Sequence, residues 1–346
     1  MTVKALIEWS RSEHQNLPWR MNRSLYRTLV SEIMLQQTTV STVRNHFERF
    51  LNIFPDLKSL AEASEEDLLV AWKGLGYYRR AKNLKKIAEA IVNEHQGKIP
   101  HHIDILQAIS GIGPYTANAL LAIGMDKPAL ALDANLERVI ARLFALNEPK
   151  GPKLHKKIQE LFLAGKIFNQ KVSFRELNEA LMDLGRTFCQ ARKASCDLCP
   201  LKKDCMAFKQ GKSLKLPIDL NAKKKSVDHE LKLLRVYVIK SGKLLVYQKS
   251  NEEWLSGQYE VPTFVLETTD SNLKQYPSID KYEGEIVKTY KTGITKYKIQ
   301  NSVTKMDLKT FQKLKFKKDY VWLDLKDKKS NFSTATLKGL QFLQLN

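Results

Sequence analysis

Cys189, Cys196, Cys199 and Cys205 are the four cysteines of this chain, and they stand in one short basic stretch with the spacing C-x6-C-x2-C-x5-C. Scattered cysteines serve as small buried hydrophobes, whereas four thiolates in one loop can close a shell around an inorganic centre. Zn²⁺ and a [4Fe–4S] cluster both accept four thiolates, so ligand count leaves both open. Two disulfides are a third arrangement, disfavoured in a chain this large with no secretory signal. Upstream lies Gly111-Ile112-Gly113-Pro114-Tyr115, followed by an apolar run. Gly111 and Gly113 let the backbone turn tightly and approach a ligand closely. Pro114 suits a first helical position, and the free N–H groups of a helix start attract an anion. A lone G-x-G is weak, because any helix–turn–helix corner can hold one. Here Leu132-Asp133-Ala134-Asn135 follows at a helix-length interval and the cysteines come later, and that ordered set is far more specific than its parts.

The elements that must position these groups fall into two parts. At 346 residues the length predicts about two domains, with roughly three quarters of the unfolded surface buried. Apolar residues at three- and four-residue spacing over 57–69 and 81–92 predict helices, and short breaks with Gly or Pro separate such segments up to about residue 212. From Leu231 the composition turns β-branched and aromatic. Leu233–Ile239 and Leu244–Tyr247 around Ser241-Gly242 predict a hairpin, 297–303 and 320–323 further strands, and 335–345 a closing helix. The polar, lysine-rich stretch 214–230 reads as a linker between a domain at 1–213 and another at 231–346. Formal net charge is +20 with pI about 9.6, and both halves are basic. A polyanion is the natural partner, nucleic acid being the commonest. No apolar run approaches the roughly 20 residues that span a bilayer. Lys4 and Glu8 occupy the region where a signal peptide would be apolar. The expectation is a cytoplasmic, nucleoid-associated monomer with no membrane contact.

Together the motifs resemble those of the helix–hairpin–helix DNA glycosylases of the endonuclease III superfamily, and within it the MutY family of adenine glycosylases. The resemblance rests on 17–20 (LPWR), 31–38 (SEIMLQQT), 74–78 (GLGYY), 109–117, 178–185 (NEALMDLG) and the cysteine loop 189–205. It implies a mainly α-helical glycosylase domain with a [4Fe–4S] loop, followed by an α/β, Nudix-like domain. The cysteine spacing matches the family's iron–sulfur spacing, which implies iron rather than zinc, in a structural role that shapes a basic loop (Arg192, Lys193, Lys202, Lys203) gripping DNA. Cleaving an N-glycosidic bond requires one group to protonate the base and another to meet the sugar cation. The resemblance implies Glu32 as the acid, delivering a proton to adenine N7 and later activating water. It implies Asp133 facing the deoxyribose and Asn135 orienting the catalytic groups. An acid working at neutral pH needs a raised pKa, and Ile33, Met34 and Leu35 are consistent with an apolar pocket. Relatives that also cut the strand carry lysine where this chain has Tyr115, so a monofunctional enzyme leaving an abasic site is expected. Trp19, Arg20, Leu35 and Glu179 resemble the lining of the adenine pocket, and the target base must leave the stack to reach it. Gln37 and Tyr77 resemble residues that wedge into the duplex, and Gly111 and Gly113 those that meet the DNA backbone.

The second domain resembles the family more weakly. Residues 254–262 (WLSGQYEVP) look like the G-L-W-E-F-P stretch of the MutT/Nudix-like domain that checks for 8-oxoguanine opposite the adenine. No Nudix-box run of glutamates is present, so nucleotide hydrolysis is not expected. Where typical members read the lesion with Phe-Ser-His, the nearest match here is Ile294-Thr295-Lys296, with Thr295 and Lys296 as the reading residues. Lysine offers only donors where histidine offers a switchable nitrogen, which puts strong 8-oxoguanine selectivity in question. Ala134 replaces the glycine of typical members. The expected substrate is double-stranded DNA holding adenine opposite 8-oxoguanine or guanine. A relative acting on T or U opposite G, or a lesion-binding protein without catalysis, are the rival readings.

Overall fold

Side-chain caps start most of the helices that matter here. Ser24 accepts the Arg27 N–H at 3.1 Å and opens α2 (Leu25–Leu35), and Thr39 caps α3 (Val40–Ile53). Such caps satisfy donors that the helix leaves orphaned. The computed structural model describes residues 3–168, 172–220, 229–250, 252–294, 296–325 and 331–344. They form two units. The first comprises Met1–Ala63 with Arg79–Lys224, and the second Ser64–Tyr78 with Lys225–Asn346. Most of the expected linker, 221–228, lies outside the described residues.

The first unit is helical: α1 (Val3–His14), α2, α3, α4 (Leu57–Glu62), then after the insertion α6 (Arg79–Glu94), α7 (Ile103–Ala108), α8 (Pro114–Ala119), α9 (Ala134–Leu143), α10 (Pro152–Leu163), α11 (Phe174–Thr187) and α12 (Met206–Lys209); the insertion itself holds α5 (Glu65–Ala71). α9 buries Leu136, Val139, Ile140 and Leu143, and α11 buries Leu177, Ala180, Leu181 and Leu184. Each set is one i, i+3, i+4, i+7 stripe, which is why the two helices pack together with α1 and α10 around one core. Asn178 of α11 is fully buried and completes that packing with polar bonds. Its Oδ1 accepts the Ala131 N–H at 2.8 Å and its Nδ2 donates to Ala129 O at 3.0 Å, which fixes the extended segment leading to Asp133.

α7 and α8 bracket the glycine loop. Gly111 has φ +98°, and a Cβ there would fall 2.3 Å from Asn83 Oδ1, so only glycine fits. Asn83 Nδ2 donates to Gly111 O at 3.0 Å. Gly113 has φ −82° and open space where a Cβ would stand, so its backbone does not demand glycine. α8 runs on into a π turn over Leu120–Gly124. Among the described residues, no helix is long and apolar enough to cross a membrane.

The second unit holds two sheets. β1 (His229–Tyr237) lies between β5 (Thr263–Thr268), antiparallel, and β7 (Tyr297–Lys305), parallel, with β6 (Lys288–Ile294) beyond β7. In the second sheet β3 (Lys243–Gln248) pairs antiparallel with β2 (Ile239–Lys240), β4 (Tyr259–Glu260) and β8 (Val321–Asp324). α13 (Leu308–Gln312) and α14 (Thr334–Phe342) complete the unit. The expected hairpin is smaller than predicted. Ser241 and Gly242, both at positive φ, do turn the chain, but only Ile239–Lys240 pairs across the turn. β1 goes instead to β5 and β7, because Leu231 and Leu233 feed one core while Leu234 and Val236 feed another. A strand apolar on both faces belongs in the middle of a sheet.

One polar knot sits inside this unit. Arg235, Lys249 and Glu260 are all nearly fully buried. Arg235 donates to Glu260 Oε1 at 2.6 Å and Lys249 to Glu260 Oε2 at 2.7 Å, while Arg235 Nε donates to Asn301 Oδ1 at 2.7 Å. Burial alone would raise the Glu260 carboxyl, but Lys249 and Arg235 hold it down to about 2. Its stabilisation is therefore complete above the ordinary value of 4.5 and is lost as pH falls from there toward 2. Glu260→Gln leaves buried cations without a countercharge. It is expected to cost roughly 3–5 kcal/mol in urea unfolding at pH 7, with the gap to the wild type closing as the buffer is made more acid.

Candidate active site

An open cleft of about 1510 Å³ in the helical unit is lined by Trp19, Arg20, Glu32, Leu35, Gln37, Tyr115, Asp133, Asn135 and Glu179. Residues spread over 160 positions of sequence thus meet in one place. Trp19 is buried in a one-turn 3₁₀ segment, its ring edge-on to Phe47 with centroids 5.9 Å apart. Glu32 lies on α2 and is buried, with only 4% of its surface exposed. Burial pushes its carboxyl up to about 7; the Tyr115 hydroxyl, which donates to Oε2 at 2.5 Å, is the strongest pull against that rise, and Asp133 and Glu179 push upward with burial. A carboxyl poised there holds a proton near neutral pH and can give it up. The Tyr115 hydroxyl is itself driven well above its ordinary value, first by burial and then by Glu32, so it stays protonated and serves as a donor.

Asp133 sits in a different environment. It is the N-cap of α9, and Oδ1 accepts from Asn135 N at 2.9 Å and Leu136 N at 2.7 Å. Oδ2 accepts from Asn135 Nδ2 at 2.8 Å. Burial raises its pKa, and these three bonds oppose that rise. The three donors and the helix dipole favour the anion. Asn135 is held in turn. Arg138 donates to Asn135 Oδ1 at 2.8 Å, to Gly185 O at 2.8 Å and to Cys189 O at 2.7 Å. A Cβ on Gly185 would stand 2.8 Å from Asn135 Cβ, which explains a glycine within a helix at that point.

Arg20, named in the sequence reading only as pocket lining, and two arginines that reading did not single out, Arg23 and Arg80, organise the rest. Arg20 forms a two-pronged pair with Asp183, at 2.8 and 3.2 Å. Arg23 does the same with Glu179, at 2.7 and 3.0 Å, so Glu179 enters the cleft with both oxygens engaged. Arg80 donates to Ile33 O at 3.0 Å, Met34 O at 2.7 Å and Thr38 Oγ1 at 2.9 Å, and also to Gln36 O. It caps the C-terminus of α2 and fixes the turn where exposed Gln37 takes φ +56°. No local sequence pattern marks these partners.

The four cysteines line one small cavity together with Arg142, Phe188, Lys202 and Phe208. Burial pushes the Cys199 thiol up to about 11, and Cys189, Cys205 and Cys196 all act on it in the same sense. Arg142 is buried and ties the loop down. It donates to Leu216 O at 2.8 Å and Gln190 O at 2.8 Å, and meets Cys189 Sγ at 3.3 Å. Arg192, Lys193 and Lys203 are exposed on the same loop.

Tyr77 and Lys296 belong to the second unit. Tyr77 is exposed at φ +46°. Lys296 is half exposed, its Nζ 3.6 Å from Asp270 Oδ2, next to Tyr297, whose ring packs 4.8 Å from that of Trp254. Thr295 lies outside the described residues.

Comparison with known proteins identifies the family. Residues 30–163 match the HhH-GPD superfamily of base excision DNA repair proteins. The adenine DNA glycosylase of Buchnera aphidicola subsp. Schizaphis graminum (strain Sg) is 32% identical over 328 residues, covering 93% of this chain and 92% of that protein. That of Homo sapiens is 34% identical over 212 residues, covering 59% of this chain and 38% of the human protein. Among solved structures, a thermostable thymine-DNA glycosylase superposes with TM-score 0.52 at 25% identity, over 60% of this chain and 95% of the other. Endonuclease III, in a non-covalent DNA complex, shares the fold with TM-score 0.50 at 22% identity, over 60% of this chain and 96% of the other. With an endonuclease III-like helical unit, a cleft holding a raised carboxyl opposite a capped one, and a relative matched over nearly its whole length, this chain belongs to the adenine DNA glycosylase family.

Proposed function

We propose that this chain excises adenine paired with 8-oxoguanine or guanine in duplex DNA, leaving an abasic site for base excision repair. The observation that bears most weight is Glu32, buried in the cleft with its carboxyl raised to about 7. The adenine leaves the stack and enters between Trp19, Arg20, Leu35 and Glu179, at an unstacking cost of roughly a few kcal/mol. Glu32 then gives its proton to N7, which turns a poor anionic leaving group into a neutral one. As the C–N bond breaks, positive charge grows on the sugar, and Asp133, ionised and held by Asn135 and the start of α9, stabilises it. Glu32, now a carboxylate, takes the proton of the water that completes hydrolysis, as in retaining glycosidases. Tyr115 has no amine for a Schiff base, which supports base removal without strand cleavage. The loop at Gly111 and Gly113 offers N–H groups to a phosphate, and Gln37, like Tyr77 of the second unit, resembles residues that wedge into the duplex. The second unit acts as a Nudix-like reader of that partner base, through Thr295 and Lys296.

The cysteine loop fits a [4Fe–4S] cluster ligated by Cys189, Cys196, Cys199 and Cys205. The fit rests on four sulfurs facing one cavity and on a buried guanidinium, Arg142, beside Cys189 Sγ, which suits an anionic centre. Among the described residues, no three or more Cys, His, Asp or Glu gather tightly enough for a single ion, whereas a cluster binds each thiolate through its own iron. When bound, the cluster supplies rigidity to the loop that presents Arg192, Lys193 and Lys203 to the DNA backbone. Thymine or uracil opposite guanine is a second reading, favoured by Tyr115 and Ala134 and by the thymine-DNA glycosylase likeness.

Single-turnover excision is the direct test. Labelled duplexes holding A opposite 8-oxoguanine, A opposite G, A opposite T and T opposite G should show loss of A in the first two; preferential loss of T opposite G would replace the proposal by the second reading. Glu32→Gln should abolish excision while duplex binding persists, and the wild-type rate should fall as pH rises above about 7, where Glu32 loses its proton. The same substitution should stabilise the fold. Ionising a buried carboxyl whose ordinary value is 4.5 costs stability progressively from there to about pH 7, so at pH 8 the variant should exceed the wild type by on the order of 3 kcal/mol. Near pH 4 the difference should vanish. Protein purified without oxygen should contain iron and show the visible absorption of thiolate-ligated iron; zinc in its place would overturn the cluster assignment.

A further inference from the structure

Ser64–Tyr78 lies inside the sequence region that matches the HhH-GPD family, with the first unit on either side of it in sequence, yet it packs as part of the second unit. Two contacts hold it there. Gly257 has φ +80°, and a Cβ on it would fall 2.8 Å from Leu69 Cδ1, so α5 packs against bare backbone. Gln258, buried to 2% exposure, hydrogen-bonds the side chain of Tyr78, itself buried. Between these contacts the chain makes a tight loop. Gly74 and Gly76 take φ +99° and +68°, and fully buried Trp72 donates from Nε1 to Gly76 O at 3.0 Å. The product is Tyr77, 52% exposed and held in a left-handed conformation that tyrosine rarely adopts. Such a conformation persists only where the surroundings over-determine it.

The loop that supplies Gly257 and Gln258 has a second contact. Trp254, three residues earlier, packs its ring against Tyr297, the neighbour of Lys296. One short loop therefore touches Tyr297, the first residue of β7, at one end and the support of Tyr77 at the other.

We infer that Gly257 and Gln258 are positioning residues for Tyr77, and that the Trp254–Gln258 loop links the turn that reads the partner base to the aromatic that enters the duplex. This rests on the reading above of Tyr77 as a wedge. A shift of Trp254 when the turn meets the partner base would move Gln258, and with it the hydroxyl of Tyr78 and the exposed ring beside it. Recognition of the partner base would then be felt as a change in how firmly Tyr77 is seated.

The test uses the full chain and duplexes with 2-aminopurine beside the mispair, whose fluorescence reports unstacking, together with single-turnover excision. Tyr78→Phe removes one hydroxyl, Gln258→Leu removes its partner, and Gly257→Val pushes on Leu69. Each should reduce both the fluorescence rise and the rate of excision opposite 8-oxoguanine by roughly fivefold to tenfold, the equivalent of one hydrogen bond. The Tyr78→Phe and Gln258→Leu double variant should lose no more than Tyr78→Phe alone, because the hydroxyl carries the Gln258 bond together with one to the Gly74 backbone. Tyr77→Ala is the control. If it leaves fluorescence and rate unchanged, Tyr77 is not a wedge and the premise fails. If Tyr77→Ala is defective while Tyr78→Phe and Gln258→Leu match the wild type, the wedge stands and the positioning role is overturned.

Discussion

A carboxyl group held out of water at the end of a cleft is the constraint around which the helical unit is arranged. Glu32 is useful as an acid only if it keeps its proton near neutral pH, and only burial makes that possible here. Burial of an ionisable group weakens a fold once the solution is basic enough to ionise it. The surroundings answer this in two ways. α2 is buried along nearly its whole length, so Glu32 stands among Thr28–Met34 on a helix that cannot shift. Arg80 fastens the end of that helix through carbonyls of its last turn. Cations are also kept from undoing the effect. Arg20 pulls against the rise in Glu32 less than Tyr115 does, and its guanidinium is turned to Asp183 in a two-pronged pair.

Asp133 is treated differently in the same cleft. Burial raises its pKa too, but two backbone N–H groups and one amide donate to its carboxylate and oppose that rise. Two carboxyls of nearly equal intrinsic acidity are thus pushed toward different tasks by position alone. The bonds that do this continue outward. Asn135 is held by Arg138, Arg138 by Cys189 O, and the cysteine loop by Arg142. The charge-holding end of the site and the cysteine loop are therefore one connected scaffold of hydrogen bonds, joined through two side chains, Asn135 and Arg138.

What could be read in the sequence was local or bound to a motif. The cysteine spacing, the glycine loop and the helical stripes depend on residues a few positions apart, so their chemistry shows in the string of letters. Gly111 was legible because a turn at φ +98° demands it. Arg20, Arg23, Arg80 and Arg138 were not legible in their roles, since their partners lie 3 to 163 residues away and an arginine in a basic chain looks like surface charge. β6 was missed because it is an edge strand rich in Lys, with Gly293 inside it, a composition that guards an edge against pairing and hides it from propensity. The hairpin around Ser241-Gly242 was right in its turn and wrong in its reach, because local spacing cannot reveal that β1 has a parallel neighbour some 65 residues on. The membership of Ser64–Tyr78 in the second unit has the same origin, since it rests on contacts with Gly257 and Gln258 nearly two hundred residues away.

The charge of the chain takes on a different meaning once these partners are known. A net +20 invites the view that every basic residue awaits a polyanion. Yet Arg20, Arg23, Arg80, Arg138, Arg142 and Arg235 all spend their donors inside the protein, on carboxylates, carbonyls and amides. This division follows from the side chains themselves. The planar fork of arginine satisfies several acceptors at once and tolerates burial, whereas the compact, strongly hydrated ammonium of lysine keeps to water. Lys249 is the exception that supports the rule, since it is buried against Glu260, Glu253 and the hydroxyl of Tyr276. The charge left for DNA is therefore largely lysine, adaptable and weakly specified, while arginine builds the framework that decides where Glu32 and Asp133 stand.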